Sequence, residues 1–274
     1  MDFSVIILNF NTKKITDDCL ESIFRNCDLK NSEVILVDNN SSDGSVDFFR
    51  EKYQSKISLI VNKKNYGFGK GNNIGARVAK GKYLLFLNSD TLIASDIFQK
   101  AKNVFDGRTE VAVLAPRLIL SNGKMQNYAF GSFPNFFRII LSKFKKTKKF
   151  SNSFFFCDWI SGAAMFAKSD IFRKVQGFDE DYFMYFEDID LCKRIKNLDY
   201  KVAVEPAMEI RHLVAASSGD KSHLKDLYFF SQDLFFQKHY GYWQVYLLKM
   251  WRSPYRFYLK YKYALLHHLQ EKTK

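Results

Sequence analysis

Residues 82–90 read KYLLFLNSD, an unbroken apolar run that ends in three polar side chains. A run of this length bounded by polar residues fits a strand covered on both faces. The same design recurs outward from it. SVIILNF (4–10), EVILVDN (33–39), ISLIVN (57–62) and VAVLAP (111–116) are further apolar runs. Helical patterns separate them. Ile15, Cys19, Leu20, Ile23 and Phe24 are spaced for a helix from about Lys13 to Asn26. SSDGSVDFF opens a second, with Ser42 or Asp43 as cap, and GKGNNIGARVAK (69–80) reads as a loop entering a third. Strand and helix in alternation predict an α/β fold: a mostly parallel central sheet with helices on both faces. Right-handed crossovers place the strand carboxyl ends along one edge, where ligands bind. Asn9, Asn11, Asp38, Asn39, Asn88 and Asp90 fall at such ends.

The second half follows another plan. Residues 117–157 hold a turn signal, SNG (121–123), then a basic cluster and a Phe-rich run, and predict a hairpin and a mobile surface loop. WISGAAMFAKSDIF (159–172) reads as a strand running into a helix capped by Ser169. FEDIDLCKRIKNL (186–198) reads as a helix and YKVAVEP (200–206) as a strand. From about residue 223 the pattern is helical, aromatic and basic. The expected organisation is therefore one α/β domain over 1–220, divided at 116/117, and a basic aromatic helical extension over 221–274.

Composition narrows the class. Of 274 residues, 47% are hydrophobic and 26% charged, which excludes a disordered chain. No apolar run reaches the length of about 18 residues needed to span a bilayer. The start, MDFSVIILNFNTKK, reads as a first strand and not as a leader. Four cysteines without a C-x-x-C pair fit a reducing, cytoplasmic setting. The net charge of +13 is uneven. Arg138, Lys143, Lys145, Lys146, Lys148 and Lys149 form one cluster. Lys238, Lys249, Arg252, Arg256, Lys260, Lys262, Lys272 and Lys274 face a single acid, Glu271, in the tail, among Tyr, Trp, Phe and Leu. An anionic membrane surface, a solvated face or a nucleic acid would each suit such a tail. No nucleic-acid-binding motif spacing supports the last.

Several residues have side chains suited to chemistry. Asn88-Ser89-Asp90 offers a carboxylate at a strand end, suited to a divalent cation on a diphosphate, although a turn with an Asp cap uses the same residues. Asp38 can accept hydrogen bonds from a ribose or a base, and the Ser/Asp/Gly run after it is equally good turn chemistry. The glycine-rich stretch 65–75 misses G-x-G-x-x-G, because Asn72 and Ile74 stand where glycine is required. That argues against a dinucleotide-dependent oxidoreductase, while Lys70 and backbone amides remain able to approach phosphates. The acids Asp179, Glu180, Asp181, Glu187, Asp188 and Asp190 include first-turn helix residues and, beside the aromatics of FMYF, candidates for a general base. His212 follows a strand and can join Asp90 at a metal.

Taken in order, SVIILNFN, VDNNSSDGS, NYGFGKGNNIGARVAKGKYLLFLNSDT, DWISGAAMF, GFDEDYFMYFEDIDLCKRI and His212 after EIR resemble the family 2 glycosyltransferases of GT-A fold. More narrowly, the chain resembles the rhamnosyltransferase-like branch that builds bacterial surface polysaccharides; the resemblance covers about residues 3–218, and KHYG at 238–241 also fits it. The resemblance implies an inverting transfer from a nucleotide-diphospho-sugar (dTDP-rhamnose, or a UDP-hexose or N-acetylhexosamine) to a hydroxyl of a glycan or lipid-linked acceptor. It implies donor contacts at Asn9, Asn11, Asp38, Asn65, Gly67, Asn72, Asn88 and Asp90, and Mg²⁺ or Mn²⁺ at Asp90 with His212. It implies an acceptor or sugar pocket at Trp159, Gly162 and Glu187, and Asp188 as base. Asn88 replaces a common Asp, and LVAASS after His212 replaces a second His and glycines. The setting implied is the inner face of the cytoplasmic membrane. The competing reading is a non-catalytic nucleotide- or RNA-binding module that uses the basic tail.

Overall fold

The computed structural model describes residues 1–142, 151–214 and 221–254. Lys143 to Lys149 of the first basic cluster, in the segment of the expected mobile loop, and the tail beyond residue 254 lie outside them.

The chain forms two compact units: Met1–Phe133 with Lys149–Ser217, and Pro134–Lys148 with Ser218–Lys274. The first holds β1 (Phe3–Asn9), α1 (Lys13–Asn26), β2 (Ser32–Asp38), α2 (Ser45–Tyr53), β3 (Ser58–Val61), α3 (Phe68–Val78), β4 (Tyr83–Asn88) and β5 (Thr91–Ile93). There follow α4 (Phe98–Gly107), β6 (Val111–Leu120) and β7 (Phe130–Gly131). The second unit contributes α5 (Phe136–Ser142). The first resumes with β8 (Phe155–Cys157), β9 (Trp159–Ile160), β10 (Ala164–Lys168), α6 (Ser169–Lys174), α7 (Glu187–Lys196) and β11 (Lys201–His212). The second unit adds α8 (Lys221–Tyr240) and a helix over 242–254.

The main sheet runs β3-β2-β1-β4-β10-β6-β11-β5, with β8 also on β11. The first four strands are parallel. β10 then enters antiparallel to both β4 and β6, so the sheet is mixed beyond β4. Burial explains the continuous apolar runs. Val5 and Ile7 of β1 pack with Leu20, Ile23, Phe49 and Phe105 on one face. Ile6, between them, packs with Ala76, Phe172, Leu191 and Ile195 on the other. Both faces are thus covered by helices, and the apolar residues of the central strands divide between two cores.

Some local expectations are corrected. Ser169 is the first residue of α6 and does not cap it; its hydroxyl is buried without a hydrogen-bond partner among the described residues. Gly44, and neither Ser42 nor Asp43, is the N-cap of α2, while Asp43 just before it braces two helix starts. Its carboxylate accepts the Lys13 N–H at 2.9 Å and the Ser45 N–H at 3.1 Å, tying α1 to α2. Ser42 instead donates its N–H to Asn11 Oδ1 at 2.8 Å. The strand expected to stop at Pro206 continues to His212, because the register against β6 shifts between Glu205 and Glu209 and Pro206 sits in that irregularity. The segment expected to be only hairpin and loop also forms α5. β5 and α4 escape the apolar-run reading. β5 is very short, and α4 shows only Phe98, Ala101 and Phe105 inward.

Candidate active site

Three parallel strands bring their polar ends into register. Asn9 lies opposite Asp38, and Leu8 opposite Asn88. Neighbouring strands are about 4.8 Å apart, so these positions form one row. The row crosses β1 and β4, where the chain changes direction of winding. Its hydrogen bonds are largely internal. Asn9 Nδ2 donates to Asp38 Oδ2 at 2.6 Å and to Ser41 Oγ at 3.0 Å, while Asn9 Oδ1 accepts from Thr12 and Thr16. The Ser41 N–H donates to Asp38 Oδ1 at 2.7 Å. Asp38 is fully buried, with both oxygens engaged. Asn11, in the left-handed region at φ 54°, turns the chain after β1.

A second asparagine network follows β2 and β3. Asn39 Oδ1 accepts from Asn62 at 2.8 Å, and its Nδ2 donates to Asn65 Oδ1 and the Gly67 carbonyl, each at 3.1 Å. Asn65 Oδ1 also takes the Gly67 N–H at 2.9 Å. Asn39 and Asn62 fix the loop that carries Asn65 and Gly67. Gly67 has φ +79°, and a Cβ there would lie 2.2 Å from the Phe183 carbonyl oxygen. Glycine is required by conformation and by close approach. Asn72 is buried in α3 and donates to the Phe68 carbonyl at 3.0 Å. Lys70 pairs with Glu180 at 2.7 Å.

Asp90 and His212 meet through strand pairing. β5 begins directly after Asp90 and runs antiparallel to the end of β11, with His212 opposite Thr91. The Leu213 N–H donates to the Asp90 carbonyl at 2.8 Å. His212 Nε2 then lies 3.1 Å from Asp90 Oδ1, both residues buried. The other ring nitrogen, Nδ1, is 2.6 Å from Gln126 Oε1. The expected hairpin brings Gln126 there: Gly123 (φ +75°) turns it, and the Gln126 N–H donates to Leu118. With the Gln126 oxygen assigned to this side, Nδ1 carries the proton and Nε2 presents a lone pair to a carboxylate oxygen. Among the described residues no group of three or more His, Cys, Asp or Glu side chains gathers as a metal site. Two protein ligands nevertheless suit a divalent ion that takes its other ligands from phosphate and water.

The remaining candidates sit at α7. Asp188 Oδ2 accepts the Gly162 N–H at 2.9 Å, and Oδ1 accepts the Ile189 N–H at 2.8 Å. The next residue after Gly162, Ala163, accepts the Asn88 N–H at 2.9 Å. A short path therefore links Asp188 to the strand end that leads to Asp90. A Cβ on Gly162 would meet the Phe68 ring at 2.9 Å, so that corner is tightly closed. The partly buried Trp159 donates from Nε1 to the Ser132 carbonyl at 3.1 Å. Burial raises the Asp188 carboxyl above its ordinary value, although backbone N–H groups oppose this. Burial and then the neighbouring Asp188 charge push Glu187 well up. Glu187 is 5% exposed, and its Oε2 has no hydrogen-bond partner among the described residues.

The acidic set divides. Glu180 accepts from Lys70 and Arg77, at 2.7 and 2.8 Å, and ties its loop to α3. Burial works against its charge, but Lys70, Asn73 and Arg77 together lower its pKa. Asp190 binds Arg194 Nε at 2.7 Å, and that guanidinium holds the Val175 and Gly177 carbonyls. Glu187 and Asp188 follow two left-handed aromatic residues, Tyr185 (φ 70°) and Phe186 (φ 68°). Such backbone costs about 1–3 kcal/mol per residue and concentrates at functional sites. No local sequence signal marks it; Gln126, Asn62 and Ser41 likewise show their roles only in the fold.

Comparison with known proteins identifies the family and the fold. The sequence model of glycosyl transferase family 2 matches residues 4–169. Rhamnosyltransferase WbbL of Escherichia coli (strain K12) is 29% identical over 224 residues, covering 76% of this chain and 82% of that protein. The N-acetylglucosaminyl-diphospho-decaprenol L-rhamnosyltransferase of Mycobacterium tuberculosis (strain ATCC 25618 / H37Rv) is 35% identical over 121 residues, 42% of this chain and 36% of its own length. Among solved structures, GalNAc-T7 with UDP, GalNAc and Mn²⁺ superposes with a TM-score of 0.64 at 15% identity, over 78% of this chain and 44% of that one. Staphylococcus aureus TarS 1-349 in complex with UDP gives 0.57 at 18% identity, over 86% and 72%. These two show the fold. With the family match extending over more than half its length, the chain belongs to glycosyl transferase family 2.

Proposed function

We propose that the chain moves a sugar, with inversion, from a nucleotide-diphospho-sugar to a hydroxyl of a growing glycan or lipid-linked oligosaccharide. The observation that carries this is the join between the two halves of the site. Asp188 is held on Gly162, beside the Ala163–Asn88 contact that leads along β4 to Asp90. A single carboxylate on the acceptor side and a diphosphate holder on the donor side are what one displacement needs.

In this reading Asp38, with Asn9, Asn11, Asn65, Gly67 and Asn72 around it, receives the nucleoside half of the donor. Asn88, Asp90 and His212 face the diphosphate. Asp90 and His212 would hold Mg²⁺ or Mn²⁺, which neutralises charge on the leaving nucleoside diphosphate. Asp188 takes the proton of the acceptor hydroxyl as its oxygen attacks the anomeric carbon. The carbon–oxygen bond to the diphosphate breaks on the opposite face, and its electron pair leaves with the nucleotide. Trp159, Gly162 and Glu187 shape the pocket in which this occurs. A carboxylate with a raised pKa is a stronger base once deprotonated.

The names of the relatives favour a rhamnosyl donor, and the mycobacterial name describes a lipid-diphosphate acceptor. We assign the chain accordingly to an anionic membrane surface on the cytoplasmic side. Among the described residues no helix is long and apolar enough to cross a membrane. The test is a thermal-shift panel of dTDP-rhamnose, UDP-hexoses and UDP-N-acetylhexosamines with and without Mn²⁺. NMR of the product anomer then follows with the donor that stabilises most. Metal-dependent turnover with inverted configuration is expected. Retained configuration overturns the single-displacement mechanism, and nucleotide binding without turnover favours a non-catalytic module.

A further inference from the structure

The helix over 242–254 has two apolar faces. One is satisfied within its unit: Val245 and Leu248 are buried, and Arg252 donates to Gln232 Oε1 at 3.0 Å and lies over the Phe229 ring. The other is not. Tyr242, Trp243, Tyr246 and Met250 are 73%, 56%, 65% and 57% exposed. At 100° per residue these four fall within about a third of the helix circumference, and the exposed Lys249 shares their arc. An amphipathic surface helix normally turns polar side chains outward.

We infer that Tyr242, Trp243, Tyr246, Lys249 and Met250 form a face that lies in the headgroup layer of an anionic bilayer. The inference rests on the reading that the chain works at a membrane, and it names the surface that does so. Two observations select this occupant. First, the face combines Trp and Tyr, which favour the membrane–water interface, with an unbranched apolar side chain and a cation. Second, charge complementarity excludes the chain's own kind. The chain carries +13, and residues 238–274 hold eight Lys and Arg against one acid. A second copy docked on this face would bring positive charge to positive charge, whereas anionic lipid supplies the opposite sign. Depth of insertion is limited to the headgroup layer, since Lys249 sits among the aromatics and must reach phosphate or water.

The experiment is co-sedimentation of the full chain with vesicles of phosphatidylcholine alone, and of phosphatidylcholine mixed with phosphatidylglycerol. The proteins are wild type, Trp243→Ser/Tyr246→Ser/Met250→Ser, and the single variant Lys249→Glu, with folding checked by circular dichroism. Binding to the mixed vesicles is expected to exceed binding to phosphatidylcholine, and to weaken in high salt. Each variant should lower the partition coefficient about tenfold or more. Unchanged partitioning of both variants overturns the inference, as does light scattering showing a wild-type dimer that the triple variant abolishes. Transfer to a short water-soluble acceptor, measured alongside, separates the two readings. If that transfer is intact while partitioning ignores the variants, only the membrane face falls. If no donor is turned over while partitioning responds, only the transferase reading falls.

Discussion

The donor edge of β1, β2 and β4 and the corner at the start of α7 both end in buried carboxylates, and they treat them in opposite ways. At the edge, Asp38 is enclosed by an asparagine amide and a backbone N–H, at 2.6 and 2.7 Å. At the corner, Glu187 has an oxygen with no partner among the described residues, and the Asp188 pKa is raised by burial. The backbone differs too: Tyr185 and Phe186 adopt left-handed conformations directly before the two acids. In the proposed reading the edge holds the donor in a fixed place. The corner places carboxylates where the charged form is disfavoured, which is how a base is tuned for proton transfer.

The sharpest way to break this contrast is Asp188→Asn. Removing a positioned base should lower kcat about 10²–10⁴-fold. Donor affinity, measured by calorimetry, should change by no more than about twofold, because the edge is untouched. In the wild type, activity should fall on acidification through a pKa above the ordinary carboxylate value of 3.8, since Asp188 must be deprotonated to accept the proton. An acid limb at or below that value, or near-normal kcat in the variant, removes Asp188 from the mechanism.

A smaller effect is expected on the donor side from Gln126→Ala. Among the described residues the Gln126 side chain pairs with His212 Nδ1, a contact suited to positioning the ring. Losing such a partner typically weakens metal binding about 10–100-fold. The Mn²⁺ concentration for half-maximal activity should rise accordingly, with kcat at saturating Mn²⁺ largely kept. A fall in kcat with unchanged metal dependence would mean that Gln126 serves another purpose.

The smallest change is expected from Glu187→Gln, read as stability against pH. Burial and the Asp188 charge raise the folded pKa of Glu187 above its ordinary 4.5. The folded state therefore binds a proton that the unfolded state has released. The stability this gives is complete below about pH 4.5 and is lost as pH rises through the folded value. Glutamine is neutral throughout. The melting temperature of the wild type should thus drop relative to the variant as pH rises toward neutrality, and approach it below pH 4.5. Parallel curves would show that Glu187 ionises in the fold as freely as in the unfolded chain.

Sequence alone determined the strands β1 to β4 and β6, the helices α1 to α3 and the row of polar residues at the strand ends. Each of these follows from local pattern: a strand's last residue is known once its apolar run is known, and parallel strands with crossovers leave those ends on one edge. The order of motifs was also enough to point to the family. What only the tertiary structure decided depends on contacts far apart along the chain. Asp90 meets His212 because β5 pairs with a β11 that continues past the irregularity at Glu205 and Glu209. Glu180 and Glu187 look alike in the acidic run, yet one meets Lys70 and Arg77 and the other meets no donor at its Oε2 among the described residues. Whether a carboxylate is an ion-pair partner, a ligand or a base is set first by desolvation and by the neighbours folding brings to it, and only secondarily by the residues beside it.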